Sequence, residues 1–286
     1  MKQKRNTPNP QDIKIHKGRG ALSNISGRFE KETREAFDDD WGSIDDSSVS
    51  VPTTLSIDTA KTLICYNQSP DVPFDRSINP YRGCEHGCAY CFARPSHAYL
   101  GLSPGLDFET RLFYKPDAPD LLRNELNARR YRPAPIALGI NTDAYQPVER
   151  KLGLTRRILG VLQETRHPVS IVTKSSLVER DLDILQDMAA QGLVQIALSI
   201  TTLKTDLARR LEPRAAKPKR RLQTVEVLAA AGIPVSVLVA PLIPMLNDEE
   251  LEKILTAVRH AGAIEAGYVL LRLPLELHDL FREWLH

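Results

Sequence analysis

NPYRGCEHGCAYCFARPSHAYLG, residues 79–101, carries three of the chain's four cysteines: Cys84, Cys88 and Cys91. Their spacing, C-x3-C-x2-C, crowds them onto one loop. Thiolates this close cannot easily pair as disulfides, but they can converge on a metal or a cluster. His86, His97, Tyr81, Tyr90 and Tyr99 lie in the same window.

Downstream of this loop the chain becomes repetitive. Short apolar runs recur at 136–139 (IALG), 169–173 (VSIVT), 194–200 (VQIALSI), 235–240 (VSVLVA) and 268–273 (YVLLRL). None alternates cleanly between apolar and polar, as expected of parallel strands covered on both faces. Helical spacing separates them. Leu154, Ile158 and Val161 form one stripe; Val178, Leu182, Leu185 and Ala189 form another. Leu222, Val225 and Ala229 follow, then Leu251, Ile254 and Val258. Ser176 with Glu179, and Asn247 with Glu250, read as helix-opening pairs, and Gly192, Gly232 and Gly262 as stops. With a first strand at about 77–81, six strands alternate with helices in right-handed βαβ units. Six suits a partial (β/α)6 barrel or a doubly wound sheet.

Outside this core, residues 59–66 (TAKTLICY) read as a strand leading to the cysteine loop, with Cys65 a small buried core residue. A short strand is expected at 111–114, then a helix over 117–130. Residues 1–58 are charged and rich in Ser, Pro and Gly, and read as an extended or disordered N-terminal arm. Residues 59–286 form the core domain. A final amphipathic helix is expected over 275–286. The abrupt stop after it suggests a piece of a longer chain.

Strand tips offer a test independent of the cysteines, because parallel α/β folds gather function at the C-terminal strand ends. The tips carry Arg82; Asn141, Thr142 and Asp143; Thr173, Lys174 and Ser175; Ser199, Thr201 and Thr202; and Arg272. The fifth tip, Ala240 and Pro241, offers backbone groups only. These side chains are expected to converge above the cysteine loop.

Structural zinc wants four ligands, and His86 or His97 could complete a Cys3His site. A cubane iron–sulfur cluster held by three cysteines instead leaves one iron open. At this point the chain resembles a known family. C-x3-C-x2-C with an aromatic before the last Cys, CEHGCAYC, resembles the radical S-adenosylmethionine (SAM) signature. The wider context, NPYRGCEHGCAYCFAR, TDAYQPVE, TKSSLVERDLDIL, LSITT and LEPRAAKPKRRL, is similar to its spore photoproduct lyase-like branch.

The resemblance implies an α/β fold, a partial (β/α)6 TIM barrel of the radical SAM type. It implies a [4Fe–4S] cluster on Cys84, Cys88 and Cys91, and SAM as cofactor. Cleaved reductively, SAM would yield a 5′-deoxyadenosyl radical that abstracts hydrogen from a substrate. By the same resemblance Tyr90 would pack near adenine and Thr142 and Asp143 would meet the amino group. Lys174 would pair with the carboxylate, and Ser199 would bond the ribose or carboxylate. An external one-electron reductant of flavodoxin or ferredoxin type is implied. Spore photoproduct lyase also uses a cysteine downstream of its cluster as hydrogen donor. No cysteine follows Cys91 here, so the thymine-dimer reaction is not expected.

Charge bears on partners. The net charge is +2, so no global field steers the chain to nucleic acid or membrane. Two basic features are local. Residues 1–28 hold seven Lys or Arg against Asp12, and residues 30–46 then reverse this with eight acids against two bases. Residues 204–221 hold Lys204, Arg209, Arg210, Arg214, Lys217, Lys219, Arg220 and Arg221, a candidate stripe for a phosphate backbone. Arg180 and Asp181, within the first turns of a helix, read as a structural pair. No apolar run approaches the roughly 20 residues of a bilayer span. The N-terminus lacks the apolar core of a secretory signal, and four cysteines with three on one loop are no disulfide framework. The reducing cytoplasm is therefore expected. Two alternatives stand beside the enzyme reading: a Cys3His zinc protein, and a nucleic-acid-binding scaffold with a structural cluster.

Overall fold

The computed structural model describes residues 16, 18–30, 51–70 and 72–286. Ten strands are present among them: β1 (Thr54–Ile57), β2 (Ile64–Tyr66), β3 (Arg76–Ile78), β4 (Tyr81–Arg82), β5 (Arg111–Tyr114), β6 (Ile136–Leu138), β7 (Val169–Thr173), β8 (Val194–Ser199), β9 (Val235–Leu242) and β10 (Glu265–Leu270). Seven of them form one sheet in the order β10-β9-β8-β7-β6-β3-β2. β3, β6, β7, β8, β9 and β10 pair in parallel, and β2 closes one edge antiparallel. These are the six parallel strands of a partial (β/α)6 barrel. The other three strands make a small sheet, β1-β5-β4, beside the cysteine loop.

The apolar runs of β6 to β9 are near-continuous because both faces of the sheet are covered there. The last run departs from that expectation: β10 is an edge strand that leaves Tyr268, Val269 and Leu270 exposed. Ile78, Ile136, Leu138, Ile171, Ile196, Leu198, Val237 and Val239 are wholly buried. Helices Leu154–Glu164, Leu182–Ala190, Pro218–Ala230 and Leu251–His260 seal them with buried Ile158, Leu185, Val225 and Ile254. Burial of each such side chain contributes about 1.5–3 kcal/mol. Gly192 and Gly232 end two of these helices at positive φ.

Several expectations are corrected. The strand expected over 77–81 breaks at Asn79 and Pro80, and Tyr81 crosses into the small sheet. The last strand is displaced towards the N-terminus, to Glu265–Leu270, because pairing starts where Ile264 N–H donates to Val235 O (2.9 Å). Of 59–66, residues 64–66 form the strand. Cys65 is exposed, not buried, because β2 is an edge strand that turns Ile64 inward and Cys65 and Tyr66 outward. The helix expected over 117–130 spans Ala118–Leu126.

Both predicted helix-opening pairs are used otherwise. Ser175, not Ser176, caps the turn Ser176–Asp181 by accepting from Leu177 N–H (3.2 Å), and Glu179 pairs with Arg220 (2.7 Å). Asn247 accepts from Ile243 N–H (2.6 Å) and donates to Thr201 O (2.7 Å). Glu250 accepts from Thr202 Oγ1 (2.6 Å) and Leu203 N–H (2.9 Å). A buried polar group must find a partner, and here tertiary partners outcompete local capping.

The arm expected over 1–58 lies partly outside the described residues. Its residues 18–30 run without helix or strand along the cysteine loop, and Thr54–Ile57 pairs with β5. The closing helix, Leu277–Leu285, buries Leu277, Leu280 and Phe281 against the loop side of the barrel.

Candidate active site

The cysteine loop leaves β4 at the C-terminal mouth of the barrel. Gly83 and Gly87 take positive φ there, and a side chain at Gly87 would strike Glu109 Oε2 at 2.5 Å. Neighbouring elements hold the loop backbone. Gln146 brackets it, accepting from Glu85 N–H (2.9 Å) and donating to Gly83 O (3.1 Å). Cys84 N–H donates to Phe108 O (2.9 Å), and Arg94 Nε donates to Cys88 O (3.0 Å). Arg94 is wholly buried and also pairs with Glu109, whose carboxylate accepts from Gly20 N–H (3.0 Å) and Ala21 N–H (2.8 Å).

The thiols face an apolar wall. Cys88 and Tyr90 pack with Leu207, Leu211, Ile243 and Phe281; Cys84 packs with Ala93 and Phe108; Cys91 joins both groups. Burial, then the Asp143 charge, pushes the Cys84 thiol well up. Burial pushes Cys88 up to about 12 against the pull of Lys174. Loading a metal here therefore displaces protons from these thiols.

The sixth, seventh and eighth strands deliver the polar tips. Thr142 Oγ1 donates to Tyr81 O (3.0 Å), so this hydroxyl ties the tip to the loop's entry. Asp143 accepts from Thr173 Oγ1 (2.7 Å), Tyr145 N–H (2.8 Å) and Lys174 N–H (2.9 Å). His86 Nδ1 stands 3.2 Å from Asp143 Oδ2, off the line of a good hydrogen bond. Burial opposes the Asp143 charge, but His86 and these donors outweigh it and hold the carboxyl at about 2. A carboxylate has about four acceptor positions, so Asp143 is nearly saturated by its own chain.

Lys174 is different. Its Nζ lies over the Tyr90 ring, 5.8 Å from the centroid. Burial works against its ammonium, but the nearby Cys88 and Glu212 outweigh it and keep it charged. Ser199 is buried at the β8 tip, and its carbonyl accepts from Arg221 (3.0 Å). Arg272 is exposed.

Two residues at this mouth were not singled out in the sequence. Glu212 is 2% exposed and accepts from Thr201 Oγ1 (2.8 Å), Tyr90 OH and Arg221. Burial opposes its charge, but Arg221 and Lys174 hold the carboxyl down at about 2. Arg221 had been counted in the basic stripe, yet it is buried. The signal was available: Arg221, Val225 and Leu228 are spaced four and three, on the buried face of their helix. The stripe is accordingly divided. Arg220 pairs with Glu179, Arg214 with Glu85 (3.1 Å), Arg209 with Asp206 (2.7 Å) and the exposed Lys204 with Glu250 (3.9 Å), while Arg210, Lys217 and Lys219 are exposed. Arg180 and Asp181 are bonded to each other and to Glu149 and Tyr145 in a buried network.

Among the described residues no three His, Cys, Asp or Glu side chains stand together as ligands for one metal ion. His97 Nε2 is bonded to Arg111 O (3.0 Å), and His86 faces Asp143. The geometry thus assembles no Cys3His zinc site. A cubane holds its thiolates apart, on separate irons. Two buried thiols and a half-buried one on a backbone-braced loop, with a lysine beside Cys88, fit such a group.

Residues 78–258 match the Radical SAM superfamily. The chain belongs to that superfamily. Membership implies a [4Fe–4S] cluster and SAM, and such enzymes generally need an external electron donor. An uncharacterized protein of Mycobacterium tuberculosis is 38% identical over 216 residues, 75% of this radical SAM chain and 64% of its own. One from Methanocaldococcus jannaschii is 30% identical over 173 residues, 60% and 62% respectively. The chain thus spans 64% of the length of the mycobacterial relative. Among solved structures, a spore photoproduct lyase variant with bound AdoMet and dinucleoside spore photoproduct superposes with a TM-score of 0.60 at 15% identity, over 80% of this chain and 65% of that one. The fold is shared. Among the described residues no helix is long and apolar enough to cross a membrane.

Proposed function

We propose that this chain is a radical SAM enzyme in which Cys84, Cys88 and Cys91 hold a [4Fe–4S] cluster with one open iron. The carrying observation is the loop itself: three cysteines on a backbone-braced loop at the barrel mouth, with Lys174 over the Tyr90 ring beside Cys88. When bound, the cluster and SAM supply a 5′-deoxyadenosyl radical that takes a hydrogen atom from a substrate. Each element of the chain has a part in this. Lys174 offers a held ammonium to the SAM carboxylate, an interaction of the charge-assisted kind. Tyr90, fixed at its hydroxyl by Glu212 and Thr201, offers a ring face beside the cluster loop. Thr142 and Asp143 shape the β6 tip near the amino group, and Ser199 lines the β8 tip. The apolar wall of Leu207, Ile243 and Phe281 excludes water.

The substrate we propose is a nucleic acid. That reading rests on the shared fold with spore photoproduct lyase and on the exposed Lys204, Arg210, Lys217 and Lys219. Residues 92–286 hold no cysteine, so no thiol donor of the lyase kind lies within them. Crowded thiols support a location in the reducing cytoplasm, and we propose a flavodoxin- or ferredoxin-type electron source.

Anaerobic reconstitution tests the reading. The protein should turn brown, hold about four irons per chain, and release 5′-deoxyadenosine when SAM and a reductant are added. Colourless protein with one zinc, or an intact cluster that yields no 5′-deoxyadenosine, overturns it.

A further inference from the structure

Residues 211–214, Leu-Glu-Pro-Arg, meet the cysteine loop at successive points. Ala89 N–H donates to Leu211 O (2.9 Å). Tyr90 OH donates to Glu212. Arg214 N–H donates to His86 O (3.3 Å), and its guanidinium pairs with Glu85 (3.1 Å). The four contacts span residues 85–90, the stretch between the first and last cysteines. Arg221 anchors Glu212 from behind while also donating to Ser199 O (3.0 Å) and Ala216 O (2.7 Å). The segment is therefore rigid where it grips.

Residue by residue, the division of labour is clear. Cys84 is held from the other side, by Phe108 O and by the Gln146 bracket on its two neighbours. Cys88 and Cys91 flank the two residues, Ala89 and Tyr90, that residues 211–212 grip. The nine residues from Gly83 to Cys91, with positive-φ glycines at 83 and 87, have a large conformational entropy to lose, on the order of 1–2 kcal/mol per residue. Holding them in advance removes that cost from ligand assembly.

We propose that residues 211–214 are a clasp that preorganises Cys88 and Cys91, with Glu212 as its positioning residue. The clasp rests on the cluster reading for its purpose, but its existence is testable without any cluster.

The experiment is site-resolved thiol alkylation of the iron-free, full-length protein by iodoacetamide, followed by mass spectrometry. Exposed Cys65 is the internal reference. Glu212→Gln should accelerate labelling of Cys88 and Cys91 about tenfold and leave Cys84 and Cys65 unchanged; general unfolding would instead accelerate Cys84 as well. Glu212→Gln removes the partner of a buried arginine, so it can fail to fold. Tyr90→Phe, which deletes one hydroxyl, is the second arm and should accelerate the same two thiols. Anaerobic iron loading of both variants should slow in parallel. Unchanged labelling of Cys88 and Cys91 in a folded variant, or acceleration of all three loop thiols together, overturns the clasp. Wild-type protein that takes up no iron overturns the cluster reading instead, and the labelling pattern still decides the clasp.

Discussion

Lys174 Nζ sits 5.8 Å from the centroid of the Tyr90 ring, so the tip of one strand covers the aromatic residue that separates Cys88 from Cys91. The pair joins two distant parts of the chain at one mouth. A cation over an aromatic face contributes about 0.5–2 kcal/mol, which orients the lysine without neutralising it. Its charge stays available to an anionic group.

Lys174→Met should therefore keep the cluster and lose SAM. Loss of one charge-assisted bond costs about 1.5–3 kcal/mol, a weakening of SAM binding on the order of 10–100-fold. Equilibrium dialysis with labelled SAM, beside an iron assay, checks this. Unchanged SAM affinity removes Lys174 from the site.

Cysteine substitution separates ligands from bystanders. Cys88→Ala should abolish cluster and SAM cleavage together, since three thiols have no substitute. Cys65→Ser, on the exposed edge strand, should leave both intact. Iron content and visible absorbance read both outcomes.

The arm is tested at its tightest point. A side chain at Gly20 would stand 1.7 Å from Gly87 O. Gly20→Ala should push residues 18–30 off the cysteine loop, costing at least the 1–3 kcal/mol typical of overpacking. Urea unfolding and iron retention should both fall.

Glu212 gives stability a definite acid dependence. Its carboxyl is held at about 2, below the ordinary value of 4.5. Its contribution is present above the ordinary value and is lost as pH falls through about 2. The iron-free wild type should therefore lose stability between about pH 4.5 and pH 2 more steeply than Glu212→Gln, as followed by urea titrations at several pH values.

The basic stripe divides into two experiments. Arg221→Ala leaves Glu212 buried and unpaired and should destabilise by about 3–5 kcal/mol. Lys217→Glu with Lys219→Glu, both exposed, should stay within about 0.5 kcal/mol each. If these lysines meet a phosphate backbone, the double variant should bind DNA more weakly and with a shallower salt slope. An unchanged slope sinks the nucleic-acid proposal for this face.

Local pattern was enough for the inner parallel strands, because a strand buried on both faces must be apolar along its length. β10 is as apolar at 268–270 yet exposed, because it ends the sheet. Local pattern was enough to mark the cysteine loop, because the spacing of the three thiols is a local property. It was not enough for Cys65, whose exposure depends on β2 being an edge. Capping also escaped it. Asn247 and Glu250 have the spacing of a helix-opening pair, yet Thr201, Thr202 and Ile243 claim them from across the fold. Arg221 looked like one more solvated charge among eight.

What the chain's order of residues settles here is what needs short range: a thiol triplet crowded onto one loop, and an alternation of strand and helix whose crossovers favour one hand. Contacts between residues 67 to 122 apart belong to the folded molecule. Gly20 against Gly87, Tyr90 on Glu212 and Lys174 over Tyr90 are such contacts. Their physical basis is burial: once packing removes water, each carboxylate and cation must find the partner that geometry brings near, and no spacing in the sequence names that partner.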